Sequence, residues 1–318
     1  MSHTVSIVVP VFKNEDSIDR LMNRVSSLAS SLAVDVEAIF VVDGSPDSSL
    51  SLLQSNLPKT TFDSKIILLS RNFGAFSAIR AGLREADGTA TVVMAADLQE
   101  PISLIENLLA LVMKDGIDVA VGVRQARKDS FVSRFLSSSF WRFFNKLTTL
   151  EMPRGGVDIF ALSSDARQKI NEFQESSTSL VGLIYWIGFK RQEVTYLREK
   201  RMEGASSWSL RKRMNYAKDS ITAFSEIPLS IFLWSGVFGA LVSLLLVVVL
   251  IVRLFMNQND DVSRQLVSIG LLFVVSYLMS GLGLLGTYLW RVSDNVRKRP
   301  DSITWKKWEF PSAQTRET

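Results

Sequence analysis

The sequence contains no cysteine and a single histidine, His3, near its N-terminus. The lack of cysteine excludes disulfides, cysteine-ligated zinc and thiol nucleophiles. With one histidine, we expect neither a Ser-His-Asp triad nor a histidine-rich metal site. Acid–base chemistry must therefore rest on carboxylates, and any bound metal would be a hard cation that prefers oxygen ligands.

The sequence also lacks a strong charge of either sign. It has 36 Lys and Arg against 32 Asp and Glu, a formal net charge of +4 at pH 7. This mild basic balance fits either ordinary solubility or attraction to anionic lipid or phosphate. Dense basic runs are missing, so we expect no nucleic-acid partner. The first apolar run, residues 5–12, is too short for a signal peptide and follows no basic region, so we expect none.

The N-terminal half alternates short apolar runs with amphipathic segments. The runs predict buried strands at residues 5–12, 36–42, 65–70, 91–96 and 119–123. The segments between them predict helices at residues 14–28, 48–57 and 75–86. Such alternation predicts an α/β fold with a mainly parallel sheet. Polar residues follow each strand, and we expect them along one edge of the sheet, where open α/β sheets bind ligands.

Two uncharged stretches, residues 231–252 and 266–290, dominate the C-terminal part. Each is long enough to cross about 30 Å of hydrocarbon, so we predict two transmembrane helices, with a break at Pro228 before the first. Basic residues flank the pair, and the positive-inside rule then places both termini and the catalytic domain in the cytoplasm of a plasma-membrane protein. Small residues in the second stretch would allow close helix contact within a chain or in a homo-oligomer: Gly270, Gly281 and Gly286.

Residues 130–147 combine aromatic and basic side chains. This mixture favours a helix lying in the membrane interface, with a core helix of the sheet domain as the alternative. Residues 214–224 predict a second interfacial helix. We divide the chain into a sheet domain that contains the candidate site residues (1–195), a basic loop with a juxtamembrane helix (196–228), two transmembrane helices (229–292) and a cytoplasmic tail (293–318).

Asp97 and Gln99 follow the fourth predicted strand two residues apart, so both side chains can face one cavity. One carboxylate and one amide oxygen can hold Mg²⁺ or Mn²⁺ when the diphosphate of a ligand supplies the other oxygens. Alternatively, Asp97 caps a helix that has Pro101 in its first turn. The polar residues at the other strand ends favour the metal interpretation.

Other polar residues each have a functional and a structural interpretation. Asp43 either binds a ribose or base or forms a local turn, and the donor-rich residues 71–74 have the same ambiguity. Asp158 either orients or deprotonates an attacking group or caps the local backbone. Arg198 and Arg201, three residues apart, either clamp a phosphate together or belong to a salt-bridged surface.

Five sequence motifs carry a resemblance to a known family: VSIVVPVFKNE, VVDGSPD, SRNFGAFSAIRAGL, ADLQEP, and WIGF followed by REKRMEGASSWSL. In this order they resemble the polyprenyl-phosphate glycosyltransferases of glycosyltransferase family 2, the dolichol-phosphate-mannose-synthase-like group. The resemblance covers nearly the whole chain, including the C-terminal membrane hairpin of many bacterial members. It implies a GT-A fold and inverting transfer of one sugar from a nucleotide-sugar to a polyprenyl phosphate such as undecaprenyl phosphate.

The resemblance also implies roles for individual residues. The nucleotide-sugar would contact Pro10, Phe12, Glu15, Asp43, Asn72 and Ala96. Asp97 and Gln99 would lie at the metal and diphosphate. The catalytic carboxylates would be Asp97 and Asp158, with Asp158 near the acceptor phosphate. The loop that grips the acceptor phosphate would use Arg198, Arg201 and Ser206.

Three positions depart from the family pattern. Val42 replaces the first Asp of Asp-Asp-Gly-Ser, Ala95 replaces the first Asp of Asp-x-Asp, and Ile159-Phe160 stands in place of Phe-Arg. The loss of one acidic ligand should weaken Mg²⁺ or Mn²⁺ binding.

Two further hypotheses about the function follow. The chain could be a degenerate relative that binds nucleotide-sugar or lipid phosphate without catalysis. A processive synthase is the other, although two spans do not easily form a polysaccharide channel.

Overall fold

The computed structural model describes residues 4–124, 153, 157–173, 179–197, 227–255 and 261–312. The strands are β1 (Val5–Val11), β2 (Val36–Val42), β3 (Asp63–Leu69), β4 (Ala90–Val93), β5 (Val119–Arg124), β6 (Val157–Ser163), β7 (Arg191–Tyr196) and β8 (Thr304–Phe310). The helices are α1 (Ile18–Leu32), α2 (Ser49–Asn56), α3 (Ala75–Glu85), α4 (Ile102–Lys114), α5 (Ser164–Glu172), α6 (Leu180–Trp186), α7 (Ile227–Phe255) and α8 (Asp261–Val296).

The eight strands form one sheet in the order β7-β5-β6-β4-β1-β2-β3-β8. Six strands point the same way, whereas β6 and β8 run antiparallel to their neighbours. The α/β fold is confirmed, with a mixed sheet where we expected a mainly parallel one. One edge of the sheet carries the carboxyl ends of the six parallel strands, among them Val11, Val42, Leu69 and Val93, and the amino ends of β6 and β8. We call it the site edge.

Helices cover both faces of the sheet. On β1, Ile7 and Val9 pack against the face covered by α1, α2 and α4, whereas Val8 between them packs against the face covered by α3, α5 and α6. Successive side chains of a strand point to opposite faces, so a strand covered on both sides is apolar throughout. This is why the strands read as continuous apolar runs in the sequence.

The C-terminal segment contributes a strand that the sequence analysis missed. We assigned residues 293–318 to a tail, but Thr304–Phe310 forms β8, which pairs antiparallel with β3 at the edge of the sheet. Trp308 and Phe310 pack against the core, whereas Glu309 between them is exposed. Two consecutive lysines in the middle of this strand conceal its alternation, and charged residues of this kind are common on edge strands.

The apolar stretches 231–252 and 266–290 lie within the long helices α7 and α8. Pro228 is the second described residue of α7, and the residues before Ile227, on the other side of the predicted break, lie outside the described residues. Among the described residues, Phe273–Val296 is long and apolar enough to cross a membrane, and Leu229–Gly239 is a shorter apolar helix. Two membrane crossings are therefore not confirmed.

α7 and α8 pack through a close contact at Gly281. The rings of Phe232 and Tyr277 stack with their centroids 4.5 Å apart. A Cβ added at Gly281 would lie 2.2 Å from the Phe232 ring, so glycine allows this approach. Gly270 and Gly286 have no described neighbour that would meet an added Cβ within 4 Å. The predicted interfacial helices at 130–147 and 214–224 lie outside the described residues.

Candidate active site at the edge of the sheet

The fold brings the predicted site residues of the N-terminal domain to the site edge. Pro10 lies near the end of β1, Asp43 directly follows β2, and Asp97 lies in the loop after β4. Asp158 is the second residue of β6, which begins at the same edge because it runs antiparallel to β4. β7 also ends there, although Arg198, Arg201 and Ser206, which follow it, lie outside the described residues.

The buried carboxylate of Asp43 binds the loop that connects β3 to α3. Its two oxygens accept hydrogen bonds from the backbone N–H groups of Phe73 at 2.7 Å and Gly74 at 2.8 Å. Burial raises the pKa of Asp43, while these hydrogen bonds and the charge of Arg71 oppose that rise. The Asn72 side-chain amide donates to the Asp43 carbonyl oxygen at 3.3 Å. Asp43 thus positions the loop, a role that the sequence analysis did not anticipate.

Gly44 allows the loops after β2 and β3 to touch. Its φ of +57° is in the left-handed region, and an added Cβ would lie 2.4 Å from the backbone carbon of Arg71. Only glycine avoids both the conformational cost and the clash. The turn at Gly44 therefore determines how closely the donor-rich residues 71–74 approach the end of β2.

We expect Gly44→Ala to be considerably more destabilising than Gly116→Ala. Gly116 also has a left-handed φ, +61°, but a Cβ there would meet nothing within 4 Å. Both substitutions carry about 1–2 kcal/mol of backbone strain, and the clash with Arg71 should add about 1–3 kcal/mol at Gly44. Thermal unfolding of the two variants measures the difference. Equal losses would contradict the close loop contact.

A hydrogen-bond network centred on Asp47 joins the loop after β1 to the loop after β2. Its carboxylate accepts from the Ser45 hydroxyl at 2.5 Å, the Ser49 hydroxyl at 2.9 Å and the Glu15 backbone N–H at 3.1 Å. The Glu15 carboxylate in turn accepts from the backbone N–H of Ser48 at 2.9 Å. The predicted nucleoside contact Glu15 therefore also stabilises the start of α2. The signal for Asp47, overlooked in the sequence, is an acid surrounded by serines before a helix.

Asp47→Asn should lower stability at neutral pH by about 1 kcal/mol, because an amide cannot accept with both of its polar atoms. Burial acts to raise the pKa of Asp47, but the hydrogen bonds from Ser45, Ser49 and the backbone outweigh it and hold the pKa below the ordinary value of 3.8. A lowered folded-state pKa stabilises the protein above the unfolded value, and this contribution is lost as pH falls through the folded value. The difference between variant and wild type should therefore shrink below pH 3.8, as denaturant unfolding at several pH values can test.

The loop after β4 holds the carboxylate of Asp97 at the site edge. The Ser17 hydroxyl donates to the carbonyl oxygen of Ala96 at 3.2 Å, and the Arg24 guanidinium donates to that of Glu100 at 2.8 Å. Helix α4 begins only at Ile102 with Pro101 before it, so Asp97 is not its N-cap. The capping alternative for Asp97 is therefore wrong. Ser17 directly precedes α1 and Arg24 lies within it, so α1 anchors the loop after β4. The spacing of residues in the sequence did not predict this contact.

Asp158 occupies a β-bulge at the start of β6. Val123 of β5 pairs with Val157, whereas Gly122 pairs with Ile159, so Asp158 is the extra residue between them. Bulges occur next to active sites, where they redirect a side chain out of the regular alternation. The backbone of Asp158 therefore lies at the site edge, beside the end of β4.

A divalent cation fits this edge only with help from a ligand. Among the described residues, no group of three or more His, Cys, Asp or Glu could hold a metal ion. Asp97 and the buried Gln99 offer one carboxylate and one amide, both hard oxygen ligands, and Ala95 offers none. These two groups suit Mg²⁺ or Mn²⁺ if phosphate oxygens of a ligand complete the coordination.

Comparison with known proteins identifies the family. The family model for glycosyl transferase family 2 matches residues 6–169. The chain belongs to glycosyltransferase family 2. The matched range runs from β1 into α5 and contains Asp43, Asp97 and Asp158. The predicted glycosyltransferase activity class is thereby confirmed.

Relatives match almost the whole chain. An uncharacterized glycosyltransferase of Bacillus subtilis, YkcC, is 32% identical over 95% of this chain and 94% of its own. The bactoprenol glucosyl transferase of Shigella phage SfII is 30% identical over 95% of this chain and 97% of its own. Mannosyl-3-phosphoglycerate synthase from Rubrobacter xylanophilus has a similar structure, with a TM-score of 0.50 and 17% identity over 70% of this chain and 73% of that protein. At this identity the last similarity supports the fold alone, and that fold is of the GT-A type.

Proposed function

We propose that this glycosyltransferase transfers a single sugar from a nucleotide-sugar to a polyprenyl phosphate, such as undecaprenyl phosphate, at the cytoplasmic face of the membrane. The main support for the proposal is that the chain runs from the end of α8 directly to β8, which begins at the site edge. The similarity to proteins named bactoprenol glucosyl transferase over nearly their whole length supports the same acceptor class.

The path of the chain after α8 links the apolar helices to the site edge. α8 ends at Val296, and only residues 297–303 separate it from β8, which begins at the site edge. There Thr304 pairs with Leu69, the last residue of β3, and the backbone N–H of Ser70 donates to the carbonyl oxygen of Ile303 at 2.9 Å. A lipid-borne acceptor near the C-terminal end of α8 would thus lie along the site edge, two strands from the loop that holds Asp43 and four strands from the loop that holds Asp97.

The exposed surfaces of α7 and α8 support their insertion in a membrane. Large apolar side chains point outward along both helices, including Leu233, Phe238 and Leu241 on α7 and Leu271, Phe273 and Leu289 on α8. Extended exposed apolar surface marks a contact with lipid or with another protein. We infer that both helices cross the membrane, with both termini on the cytoplasmic side, as the flanking basic residues favour.

The donor would bind across the loops that follow β1 to β4. The nucleoside would lie against Pro10, Phe12 and Glu15, with the Asn72 loop, held by Asp43, and Ala96 lining the nucleotide-sugar site. Asp97 and Gln99 would hold Mg²⁺ or Mn²⁺. When bound, the cation would neutralise negative charge on the leaving diphosphate.

The transfer requires positioning more than proton abstraction. A phosphate acceptor is already ionised at neutral pH, so an acceptor oxygen can attack the anomeric carbon without a strong general base. We infer an in-line displacement that inverts the anomeric configuration, with Asp158 orienting the acceptor. Correct placement of the two reactants and stabilisation of charge by Asp97 would then supply most of the rate.

We expect Arg201→Ala to raise the KM for polyprenyl phosphate by about tenfold, the effect of losing one charge-assisted hydrogen bond to phosphate. The KM for the nucleotide-sugar should change little, because Arg198, Arg201 and Ser206 are proposed to grip the acceptor. Initial-rate measurements with each substrate varied in turn test this. Equal increases in both KM values would indicate that Arg201 contacts the donor diphosphate instead.

The proposed function is tested by incubating the purified protein with undecaprenyl phosphate and a panel of labelled nucleotide-sugars. We expect a labelled lipid that carries one sugar. A lipid carrying a long polymer would indicate a processive synthase. Folded protein that gives no product with any donor would contradict the proposal.

The second candidate function is binding without catalysis, which the replacement of an acidic ligand by Ala95 favours. Calorimetry that detects donor binding by a protein without turnover, even with Mn²⁺ added, would support this alternative. Turnover that disappears in Asp97→Ala would exclude it.

A further inference from the structure

Exposed apolar side chains lie at both ends of the site edge. Strands β7 and β8 are the two outermost strands of the sheet. Leu197, directly after β7, is 69% exposed, and on the other side Ile303 and Trp305 are 51% and 65% exposed. Large apolar side chains are costly to expose in water and mark contact surfaces when they cluster. Of these, Ile303 and Trp305 lie together beside β8, at the end of the site edge nearest the C-terminus of α8.

The backbone at Trp305 turns this side chain out of the strand. Leu68 of β3 pairs with Lys306, whereas Leu69 pairs with Thr304, so Trp305 is the extra residue of a β-bulge. A bulge redirects its side chain and interrupts the ladder. The ammonium group of Lys306 lies 5.1 Å from the centre of the Trp305 indole ring. An exposed tryptophan paired with a cation is typical of side chains at the boundary between lipid and water.

Basic residues connect this tryptophan to α8. Arg297, Lys298 and Arg299 follow the helix directly and are exposed. The Arg297 guanidinium lies 5.7 Å from the centre of the Trp290 ring, in the last turns of α8. Asp301, the acid nearest to them in sequence, is buried against two arginines of α3 and so faces away from solvent. The surface from Arg297 to Lys306 therefore combines exposed apolar side chains with exposed basic ones.

We propose that residues 297–306 form a docking surface for anionic lipid headgroups, which holds the site edge against the bilayer. The occupant is a lipid surface because the patch continues directly from an apolar helix and combines aromatic with basic side chains, the composition that binds anionic membranes. The proposal rests on the proposed function, in which α8 is embedded in the membrane. Docking would keep the Asp97 loop at the height of the acceptor phosphate.

The absence of cysteine from this sequence allows a direct test in the whole 318-residue chain. Single-cysteine variants carry one fluorophore each at three positions: Thr304→Cys beside Trp305, Lys190→Cys before β7 at the opposite edge of the sheet, and Leu285→Cys on the exposed side of α8. The proteins are placed in nanodiscs that contain nitroxide lipids, labelled either at the headgroup or deep in the acyl chain. Quenching then reports the depth of each position.

We expect headgroup nitroxides to quench the label at residue 304 at least several-fold more than the label at residue 190. Quenching at residue 304 should increase with the fraction of anionic lipid and decrease in Trp305→Ser. Quenching should also decrease when Arg297, Lys298 and Arg299 are replaced by glutamine. Each charge removed should lower the equilibrium constant for docking on the membrane by about fivefold. Trp186→Ser serves as the matched control, because Trp186 is an exposed tryptophan at the opposite edge of the sheet. It should leave quenching at residue 304 unchanged.

Equal quenching at residues 304 and 190, or quenching at residue 304 that ignores both Trp305→Ser and lipid charge, would overturn the docking surface. The label at Leu285 separates this failure from that of the proposed function. If acyl-chain nitroxides quench residue 285 while residue 304 stays unquenched, α8 is in the membrane and only the docking surface is wrong. If residue 285 is also unquenched, the membrane assignment and the docking surface fall together. If quenching at residue 304 decreases as the protein concentration increases at constant lipid composition, a second copy of the chain covers this surface. That result would likewise overturn the lipid proposal.

Discussion

Asp97→Asn should reduce sugar transfer by about a hundredfold to a thousandfold, the usual effect of removing one group that stabilises transition-state charge. Asp97 is the one carboxylate left in the Asp-x-Asp position, since Ala95 replaces the other. Without its negative charge, the proposed cation at the leaving diphosphate would be held only by Gln99 and by the ligand. Turnover with saturating donor and acceptor measures the loss.

A matched control separates this chemistry from a general effect of charge removal. Asp115→Asn removes an exposed acid just after α4, at the opposite edge of the sheet, and should leave turnover unchanged. Increasing concentrations of Mn²⁺ should partly restore activity to Asp97→Asn if the residue binds metal. Wild-type turnover in Asp97→Asn would contradict both the metal site and the catalytic role.

The position of the candidate site residues at one edge of the sheet was predictable because it depends on local order in the chain. Asp43 and Asp97 each follow an apolar run, and parallel strands joined by helices must bring their carboxyl ends to one edge. The length and β-branched composition of these runs were sufficient to identify the strands. Strand ends were less accurate, since β4 stops at Val93 where the loop that carries Asp97 begins.

The contacts that shape the site depend on residues far apart in the sequence, and the sequence did not predict them. Asp43 binds the backbone of Phe73 and Gly74, thirty or more positions away. The bulge at Asp158 exists only because β5 and β6 pair in a particular register. Strand β8 was missed because its pairing partner, β3, lies more than two hundred residues earlier. Local propensity contains no information about any of these pairings.

Asp301→Ala should destabilise the protein by about 3–5 kcal/mol, because it breaks a buried ion pair by removing the carboxylate that two arginines share. The Asp301 side chain is 7% exposed, and it binds Arg80, 6% exposed, at 3.1 Å and Arg84 at 2.8 Å. Both arginines belong to α3, so this ion pair attaches the segment after α8 to the helix whose first turn lies beside Asp43. The midpoint of thermal unfolding should fall by about 10 °C in a chain of this size.

Lys307→Met is the matched control for Asp301→Ala. Lys307 pairs with Glu85, the last residue of α3 and the neighbour of Arg84, but these side chains are 46% and 32% exposed, so the loss should stay within about 1 kcal/mol. A triple variant, Asp301→Leu with Arg80→Met and Arg84→Met, separates the two possible origins of a large effect. Apolar replacement of a whole buried ion pair is often neutral, so the triple variant should recover most of the stability lost in Asp301→Ala. If it recovers stability but not transfer to lipid acceptor, the ion pair serves to orient α3 relative to α8. If Asp301→Ala unfolds at the wild-type temperature, the attachment of β8 to α3 is not the strong contact that its burial indicates.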